Sequence, residues 1–174
     1  MSFNIRKYLP RITPLPAGCK ISQPEMILAT WFGSGRIRPA AGTMGTIAAL
    51  PFGYGLQMLY GIPAIVAGII IIFAIGVYVA GIYDRKDGGH DSSTIVIDEV
   101  VGMWIAAIPA ATHPGLWITA FILFRLFDIW KPWPVSLIDR HISGGLGVML
   151  DDVAAGILAF LGTATVALSY FGGM

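Results

Sequence analysis

The sequence is poor in cysteine and in charge. Its 174 residues include one cysteine, Cys19, which excludes a disulfide framework and any metal cluster held by several cysteines. Charged residues make up only 12% of the chain, whereas soluble domains have about a quarter. The net charge of +1 provides no basic surface of the kind that binds nucleic acid. These absences exclude a disordered chain and argue against a soluble monomer.

Three long segments contain no Asp, Glu, Lys or Arg: residues 39–83, 100–124 and 153–174. Hydrophobic residues account for 56% of the chain, so we predict a membrane protein. Five segments could cross the bilayer, of which the third and fourth are short: 43–60, 62–83, 95–111, 115–130 and 153–170. We therefore expect an all-α fold, a polytopic bundle of about five hydrophobic spans.

The basic residues give this bundle an orientation. Ten of the eleven Lys and Arg residues fall in segments 1–42, 84–94 and 131–152, which five crossings would place on one side. The positive-inside rule makes that side cytoplasmic. The N-terminal stretch lacks the apolar core of a signal peptide. We expect residues 1–24 to be a basic cytoplasmic lead-in and residues 25–174 to form a single membrane-embedded domain.

The acidic residues gather near the cytoplasmic ends of the predicted spans. A carboxylate near the hydrocarbon is costly unless it is paired or bound to a cation, so this convergence predicts a site. Nine of the ten acids belong to the group: Asp84, Asp87, Asp91, Asp98, Glu99, Asp128, Asp139, Asp151 and Asp152. With one Cys and three His in the chain, carboxylate oxygens favour a hard cation, Mg²⁺ before Zn²⁺.

Two adjacent acidic pairs are the strongest candidates for metal ligands. Asp98 and Glu99 follow three apolar residues, which places their carboxylates inside an apolar segment. Asp151 and Asp152 are expected to open the last span, after the glycine-rich stretch 143–147. The alternative is that each pair only complements the positive end of its helix.

Cationic residues lie close to these acids in the predicted bundle. Arg125, Asp128 and Lys131 have a spacing that puts them along one helix face. A guanidinium one turn into the membrane needs an anionic partner, which is either Asp128 or a ligand phosphate.

A glycine-rich segment and a loop histidine complete the candidates. Residues 33–46 could bring backbone N–H groups to an anion, or they could form only a turn flanked by Arg36 and Arg38. His90, beside Asp91, is a candidate for acid or base chemistry. The carboxylates could bind a metal ion, the cationic residues could bind a phosphate, and the hydrophobic spans could present a lipid. Together these features predict phosphoryl chemistry on a lipid.

These motifs, taken together, resemble those of a known family, the phosphatidylglycerophosphatase A family of lipid phosphatases. The likeness runs in order from about residue 25 to about residue 156. The matching stretches are FGSG at 32–35, Pro39, GTMGT at 42–46, His90-Asp91, IDEVVGMW at 97–104, FRLFDIWKPWP at 124–134, Asp139-Arg140 and GGLGVMLDDVAAG at 144–156.

The resemblance implies Mg²⁺-dependent removal of the terminal phosphate of phosphatidylglycerol phosphate, giving phosphatidylglycerol and inorganic phosphate. It also implies a multi-pass enzyme of the bacterial inner membrane whose site faces the cytoplasm and whose partner is a membrane phospholipid. No protein partner is indicated. Signatures of other phosphatases, such as a Cys-x5-Arg loop, are missing from the sequence.

Roles for individual residues are hypotheses that rest on their convergence at one predicted depth. The metal ligands would be Asp98, Glu99, Asp128, Asp151 and Asp152. The phosphate would be held by Arg125, Lys131 and Arg140 together with Gly42, Thr43, Gly45 and Thr46. Asp98 or His90 would act as the base for an attacking water, with Arg125 as a further catalytic group. The alternative to direct attack by water is an aspartyl-phosphate intermediate.

Two rival functions belong to other classes. A CDP-alcohol phosphatidyltransferase would also be helical, acidic and Mg²⁺-dependent, but its Asp-Gly-x2-Ala-Arg signature is absent. A small ion or lipid transporter would carry acids spread through the bilayer, whereas those of this chain cluster at one side.

Overall fold

The computed structural model describes residues 10–88 and 92–172, and in it the chain is mostly helical. Over these residues the helices are α1 (Pro24–Ala29), α2 (Ala41–Lys86), α3 (Ile97–Ala107), α4 (Pro114–Trp130), α5 (Val135–His141) and α6 (Gly144–Phe171). Two-residue strands β1 (Arg11–Ile12) and β2 (Ile37–Arg38) pair antiparallel, with Arg11 opposite Arg38. The expected all-α fold therefore holds, except for this short pairing.

Helix α2 is a hairpin of two helices joined at Gly61. The backbone of Gly61 has φ 76° and ψ −170°, a conformation that glycine adopts readily and other residues avoid. A methyl group on Gly68 would lie 3.5 Å from Cδ1 of Leu56, although a straight helix would separate these residues by about 18 Å. The halves 41–60 and 62–86 correspond to the first two predicted segments.

Helix α3 packs into this hairpin through Trp104. The indole Nε1 of Trp104 donates to the carbonyl oxygen of Ala49 over 3.0 Å. Methyl groups on Gly53 and Gly68 would lie 2.5 and 3.0 Å from its ring. Because both glycines leave space for the indole, Trp104 contacts both halves of α2. Most residues of α3 are buried in the bundle.

Helices α3 and α6 pack closely where Gly102 faces Gly156, next to Asp152. A methyl group on Gly156 would lie 2.6 Å from the carbonyl oxygen of Gly102. One on Gly102 would lie 2.7 Å from the carbonyl oxygen of Asp152. Small residues allow such close helix contacts in membranes, and this one holds Asp152 beside α3.

Two of the helices in the described part of the chain, α2 and α6, are long and apolar enough to cross a membrane. Large apolar side chains are exposed around the bundle, among them Ile70, Ile118 and Leu168. Helices α3 and α4 have 11 and 17 residues and are shorter than a typical span. The structure thus supports a helical membrane protein, and the five-span arrangement stays a prediction.

Three boundaries differ from the sequence-based expectation. Helix α6 begins at Gly144, so Asp151 and Asp152 lie inside the helix and do not open it. The stretch expected to be a glycine-rich loop, 42–46, forms the first turns of α2. Helix α5 lies within 131–152, a segment that we expected to be a loop.

The glycines of α6 explain the first difference. A methyl group on Gly145 would lie 2.7 Å from the amide nitrogen of Gly81, and one on Gly147 would lie 2.7 Å from the carbonyl carbon of Ile142. These glycines therefore allow close packing of a helix. The sequence pattern had instead indicated a glycine-rich stretch that precedes the helix.

Candidate active site

A cavity of about 390 Å³ opens at one end of the bundle, where the first turns of α2 and α3 meet the last turns of α4 and the third turn of α6. Four helices therefore contribute to one site. Its charged lining residues are Arg38, Asp98, Glu99, Arg125, Asp128, Lys131, Asp151 and Asp152.

Three carboxylates of this lining lie close together. Asp98, Glu99 and Asp152 each offer an oxygen atom, and these oxygens lie within 4.8 Å of one another. Glu99 and Asp152 are only 9% and 3% exposed. Their close approach follows from the position of Asp98 and Glu99 in the first turn of α3 and from the α3–α6 crossing.

The same three residues each have a buried oxygen without a hydrogen-bond donor in the described part of the chain: Asp98 Oδ1, Glu99 Oε2 and Asp152 Oδ2. Buried carboxylate oxygens without donors are strongly unfavourable in a protein unless a proton or a bound cation neutralises the charge. An all-oxygen set of this kind fits a hard divalent cation such as Mg²⁺.

Arg125 connects this cluster to the last turns of α4. Its Nη1 atom lies 2.7 Å from Asp128 Oδ2 and 3.9 Å from Glu99 Oε1, and it donates to Thr46 Oγ1 over 3.4 Å. Gly42 leaves the space that this guanidinium occupies, because a methyl group there would lie 3.0 Å from Arg125 Nη2 and would collide with Glu99. A planar cation is thus held against the carboxylates.

Lys131 occupies the other side of the cavity. It ends α4 in the left-handed conformation, with φ 45° and ψ 57°, and its amine forms ion pairs with Asp139 and with Asp151, the latter at 2.8 Å. Desolvation alone would lower the pKa of Lys131, but hydrogen bonds to these two carboxylates outweigh it and raise that pKa above its ordinary value. The amine therefore stays protonated and positively charged at neutral pH.

The N-terminus of α2 supplies backbone donors. Ala41, Gly42 and Thr43 line the cavity and form the first turn of the helix, in which backbone N–H groups have no partner within the helix. A helix start of this kind suits an anion. The amides predicted to bind phosphate are thus near the carboxylates, although they belong to a helix and not to a loop.

Arg38 also lines the cavity, although it was not among the residues predicted for the site. The β1–β2 pairing fixes its position: its Nε donates to Thr13 Oγ1 over 3.2 Å, and its Nη2 donates to Ser93. Arg36 is held differently, since its Nε donates to the carbonyl oxygen of Thr13 over 2.9 Å. No local sequence signal separates the two arginines, because the difference depends on pairing with a distant segment.

Most of the residues predicted for the site line this cavity. They are Gly42, Thr43, Asp98, Glu99, Arg125, Asp128, Lys131, Asp151 and Asp152. Gly45 does not, because it packs against Val96, and Thr46 reaches the site only through Arg125. Arg140 is exposed on α5, outside the lining. His90 lies outside the described residues.

The charge of the cavity is unbalanced. Within the described lining, five carboxylates face three cationic side chains, Arg38, Arg125 and Lys131. An anionic phosphate group would meet net repulsion in such a site unless a cation is bound as well. The arrangement can hold a divalent cation and a phosphate side by side.

One family model and several known proteins are similar to this chain. The family model of phosphatidylglycerophosphatase A matches residues 27–167. Among similar proteins, phosphatidylglycerophosphatase A of Escherichia coli strain K12 is 40% identical over 143 residues, which cover 80% of this chain and 81% of the relative. The protein of the same name from Haemophilus influenzae is 41% identical over 140 residues, which cover 79% of this chain and 85% of the relative.

A third relative carries a different name. A protein of Bacteroides thetaiotaomicron, provisionally named a phosphatidylinositol-3-phosphatase, is 35% identical over 143 residues, which cover 78% of this chain and 89% of the relative. No solved structure matches the chain.

Proposed function

Because the chain belongs to the phosphatidylglycerophosphatase A family and is a phosphatase, we propose that it hydrolyses the terminal phosphate of phosphatidylglycerol phosphate in a Mg²⁺-dependent reaction. The products are phosphatidylglycerol and inorganic phosphate. The observation that supports the Mg²⁺ dependence is the convergence of the carboxylates of Asp98, Glu99 and Asp152, each of which also has a buried oxygen without a donor in the described part of the chain.

The carboxylates provide the metal site. Asp98, Glu99 and Asp152 would hold the ion, and Asp128 and Asp151 lie in the same lining, where they could hold a second one. A bound Mg²⁺ neutralises charge on phosphoryl oxygens and makes the phosphorus more open to attack.

The cationic residues and helix α2 orient the substrate. Arg125 and Lys131 would bind the oxygens of the terminal phosphate, and the free amides of Gly42 and Thr43 would add hydrogen bonds. Asp98 is the least buried of the three clustered acids, so it is the one best placed to accept a proton from an attacking water. Water would then form the new bond to phosphorus while the bond from phosphorus to the glycerol oxygen breaks. The proton taken up by Asp98 would pass to that glycerol oxygen and give the hydroxyl group of the product.

The same geometry supports a proposal for the location of the protein. Trp130 and Trp133 are 71% and 78% exposed beside the cavity end of α4, which is the pattern of aromatic residues at a membrane interface. With the basic segments on that side, we propose a multi-pass protein of the bacterial inner membrane with the site facing the cytoplasm. Acids gathered at one end of the bundle do not form the path through the bilayer that a transporter requires.

The test is a phosphate-release assay with the purified full-length chain in detergent micelles. Phosphatidylglycerol phosphate is supplied with Mg²⁺ or with a chelator, and phosphatidylinositol 3-phosphate serves as the comparison lipid. We expect Mg²⁺-dependent release from phosphatidylglycerol phosphate. A stronger reaction with the phosphoinositide, or undiminished release in the chelator, would contradict the proposal.

A matched pair of variants tests the metal site within the same assay. Asp98→Asn removes a ligand charge and should lower turnover by about 100-fold or more, because a catalytic metal supplies several kcal/mol of transition-state stabilisation. Asp87→Asn makes the same chemical change at an exposed residue outside the cavity lining and should leave turnover near that of the unsubstituted chain. Equal rates in the two variants would remove Asp98 from the site.

A further inference from the structure

An apolar groove lies on the outside of the bundle between the first half of α2 and helix α4. Its volume is about 720 Å³. Ile47, Leu50 and Tyr54 line one wall, and Trp117, Ile118 and Phe121 line the other. The groove belongs to neither the metal cluster nor the phosphate-binding residues described above.

The groove continues directly from the candidate active site. On α2, Ile47 of the groove follows Thr43 of the cavity by about one helical turn. On α4, which runs in the opposite direction, Phe121 precedes Arg125 by the same step. From Thr43 to Tyr54 the rise of the helix is about 17 Å, close to half of a hydrocarbon core of about 30 Å.

An aromatic pair lines the part of the groove farther from the cavity. The rings of Tyr54 and Trp117 meet edge to face with their centroids 5.5 Å apart. The Tyr54 hydroxyl donates to the carbonyl oxygen of Thr112 over 3.2 Å, and Trp117 Nε1 donates to that of Ala111 over 2.9 Å. The polar atoms of both rings are therefore already paired, and the groove presents hydrocarbon to its occupant.

We propose that this groove holds one acyl chain of the phospholipid substrate while its phosphate lies in the cavity. This proposal rests on the proposed function, because it requires a substrate that carries both a phosphate and a long chain. A lipid bound by its phosphate between α2 and α4 must extend its chain into the bilayer from that point, and the groove lies between the same two helices. Hydrocarbon gains little by moving from lipid onto an apolar protein surface, so the groove orients the substrate more than it adds affinity.

The experiment fills the groove and compares two chain lengths. Full-length protein in detergent micelles is given dihexadecanoyl or dihexanoyl phosphatidylglycerol phosphate, and the ratio of the two kcat/KM values is measured. The test variant is Ile118→Trp, and its control is Ile70→Trp on the second half of α2. The two positions are 63% and 64% exposed, so the substitutions are matched in both chemistry and exposure.

We expect Ile118→Trp to lower the ratio of long-chain to short-chain kcat/KM by at least about tenfold, because misplacing a reacting group by about 1 Å can cost on the order of 100-fold. Ile70→Trp should leave the ratio unchanged. Ile47→Trp, on the opposite wall, should lower the ratio in the same direction, which protects the test against a folding defect in one variant.

Contrary results are distinguishable. Equal ratios in the Ile118→Trp and Ile70→Trp variants would overturn the assignment of the groove while leaving the proposed function intact. An unchanged ratio with an altered oligomeric state would assign the groove to a second copy of the chain and would also overturn it. Absence of phosphate release from both lipids by the unsubstituted protein would overturn the proposed function and the groove assignment together.

Discussion

Arg125 is the residue through which the parts of the site are joined. Its guanidinium reaches Asp128, Glu99 and Thr46 from one planar group, so it links α4 to α3 and to the start of α2. All three contacts come from Nη1, while Nη2 lies against Gly42. A lysine has one terminal nitrogen on a shorter side chain, so it cannot both make these contacts and fill the space beside Gly42.

Arg125→Lys should therefore lower turnover of phosphatidylglycerol phosphate by about tenfold to 100-fold, since hydrogen bonds to charged groups contribute about 1.5–3 kcal/mol each. Arg140→Lys is the matched comparison, because Arg140 is exposed on α5 and outside the cavity lining. Steady-state kinetics of both variants decide between the sequence-based role of Arg140 and its position in the structure. A loss at Arg140 equal to that at Arg125 would contradict the site described above.

The residues of the site were predictable to different degrees. Carboxylates inside apolar segments stand out because they are costly there, and the pairs Asp98-Glu99 and Asp151-Asp152 do meet in one cavity. Arg38 could not be assigned, because its position depends on pairing with β1, about 25 residues earlier in the chain. Arg140 carried the same charge signal as Arg125, but α5 places it away from the cavity.

At the scale of elements, the crossing of α3 and α6 sets the geometry of the carboxylate cluster formed by Asp98, Glu99 and Asp152. Gly102 and Gly156 bring the two backbones together next to Asp152, so any side chain at the crossing separates the acids from one another. The contact is with backbone carbonyls, which cannot move aside as a flexible side chain could.

Gly156→Ala should destabilise the protein by about 1–3 kcal/mol, the usual cost of overpacking a close contact. Gly55→Ala is the control, because a methyl group at Gly55 meets nothing within 4 Å and should stabilise the helix by about 0.5–1 kcal/mol. Unfolding in mixed micelles of increasing denaturing-detergent content measures both free energies. Equal stability of the two variants would show that α3 and α6 are not held at this distance.

Element positions followed the hydrophobic pattern well, and element boundaries did not. Gly61 interrupts a long apolar run where the hairpin turns, which is why the two halves of α2 were predicted as separate segments. Glycines in 42–46 and 144–147 normally indicate loops. In this fold they lie inside helices because neighbouring groups, such as Glu99 beside Gly42 and Gly81 beside Gly145, leave no space for a side chain.

At the scale of the whole molecule, the arrangement of helix ends predicts which segments share a side of the membrane. The first turns of α2 and α3 and the last turns of α4 line one cavity. The α3–α4 connection around Thr112 should then face the opposite side, together with Gly61.

Single-cysteine labelling in inverted and right-side-out vesicles checks this arrangement. In a Cys19→Ser background, Ser143→Cys and Thr112→Cys should react with a membrane-impermeant maleimide from opposite sides, and both positions are exposed. Restoring Cys19 alone should give the same sidedness as Ser143→Cys. Labelling of positions 143 and 112 from one side would contradict the five-span arrangement.

The shortness of α3 has a consequence for biogenesis. Its 11 residues span about 16 Å, roughly half of the hydrocarbon core, and its first turn carries two carboxylates. Such a segment is expected to insert poorly into the bilayer by itself, because placing acidic residues near the centre of a membrane costs free energy. We therefore expect entry of α3 into the bilayer to depend on the α2 hairpin, made before it, and on α6, made after it. The helix that carries Asp98 and Glu99 would then take its place only as the surrounding helices assemble.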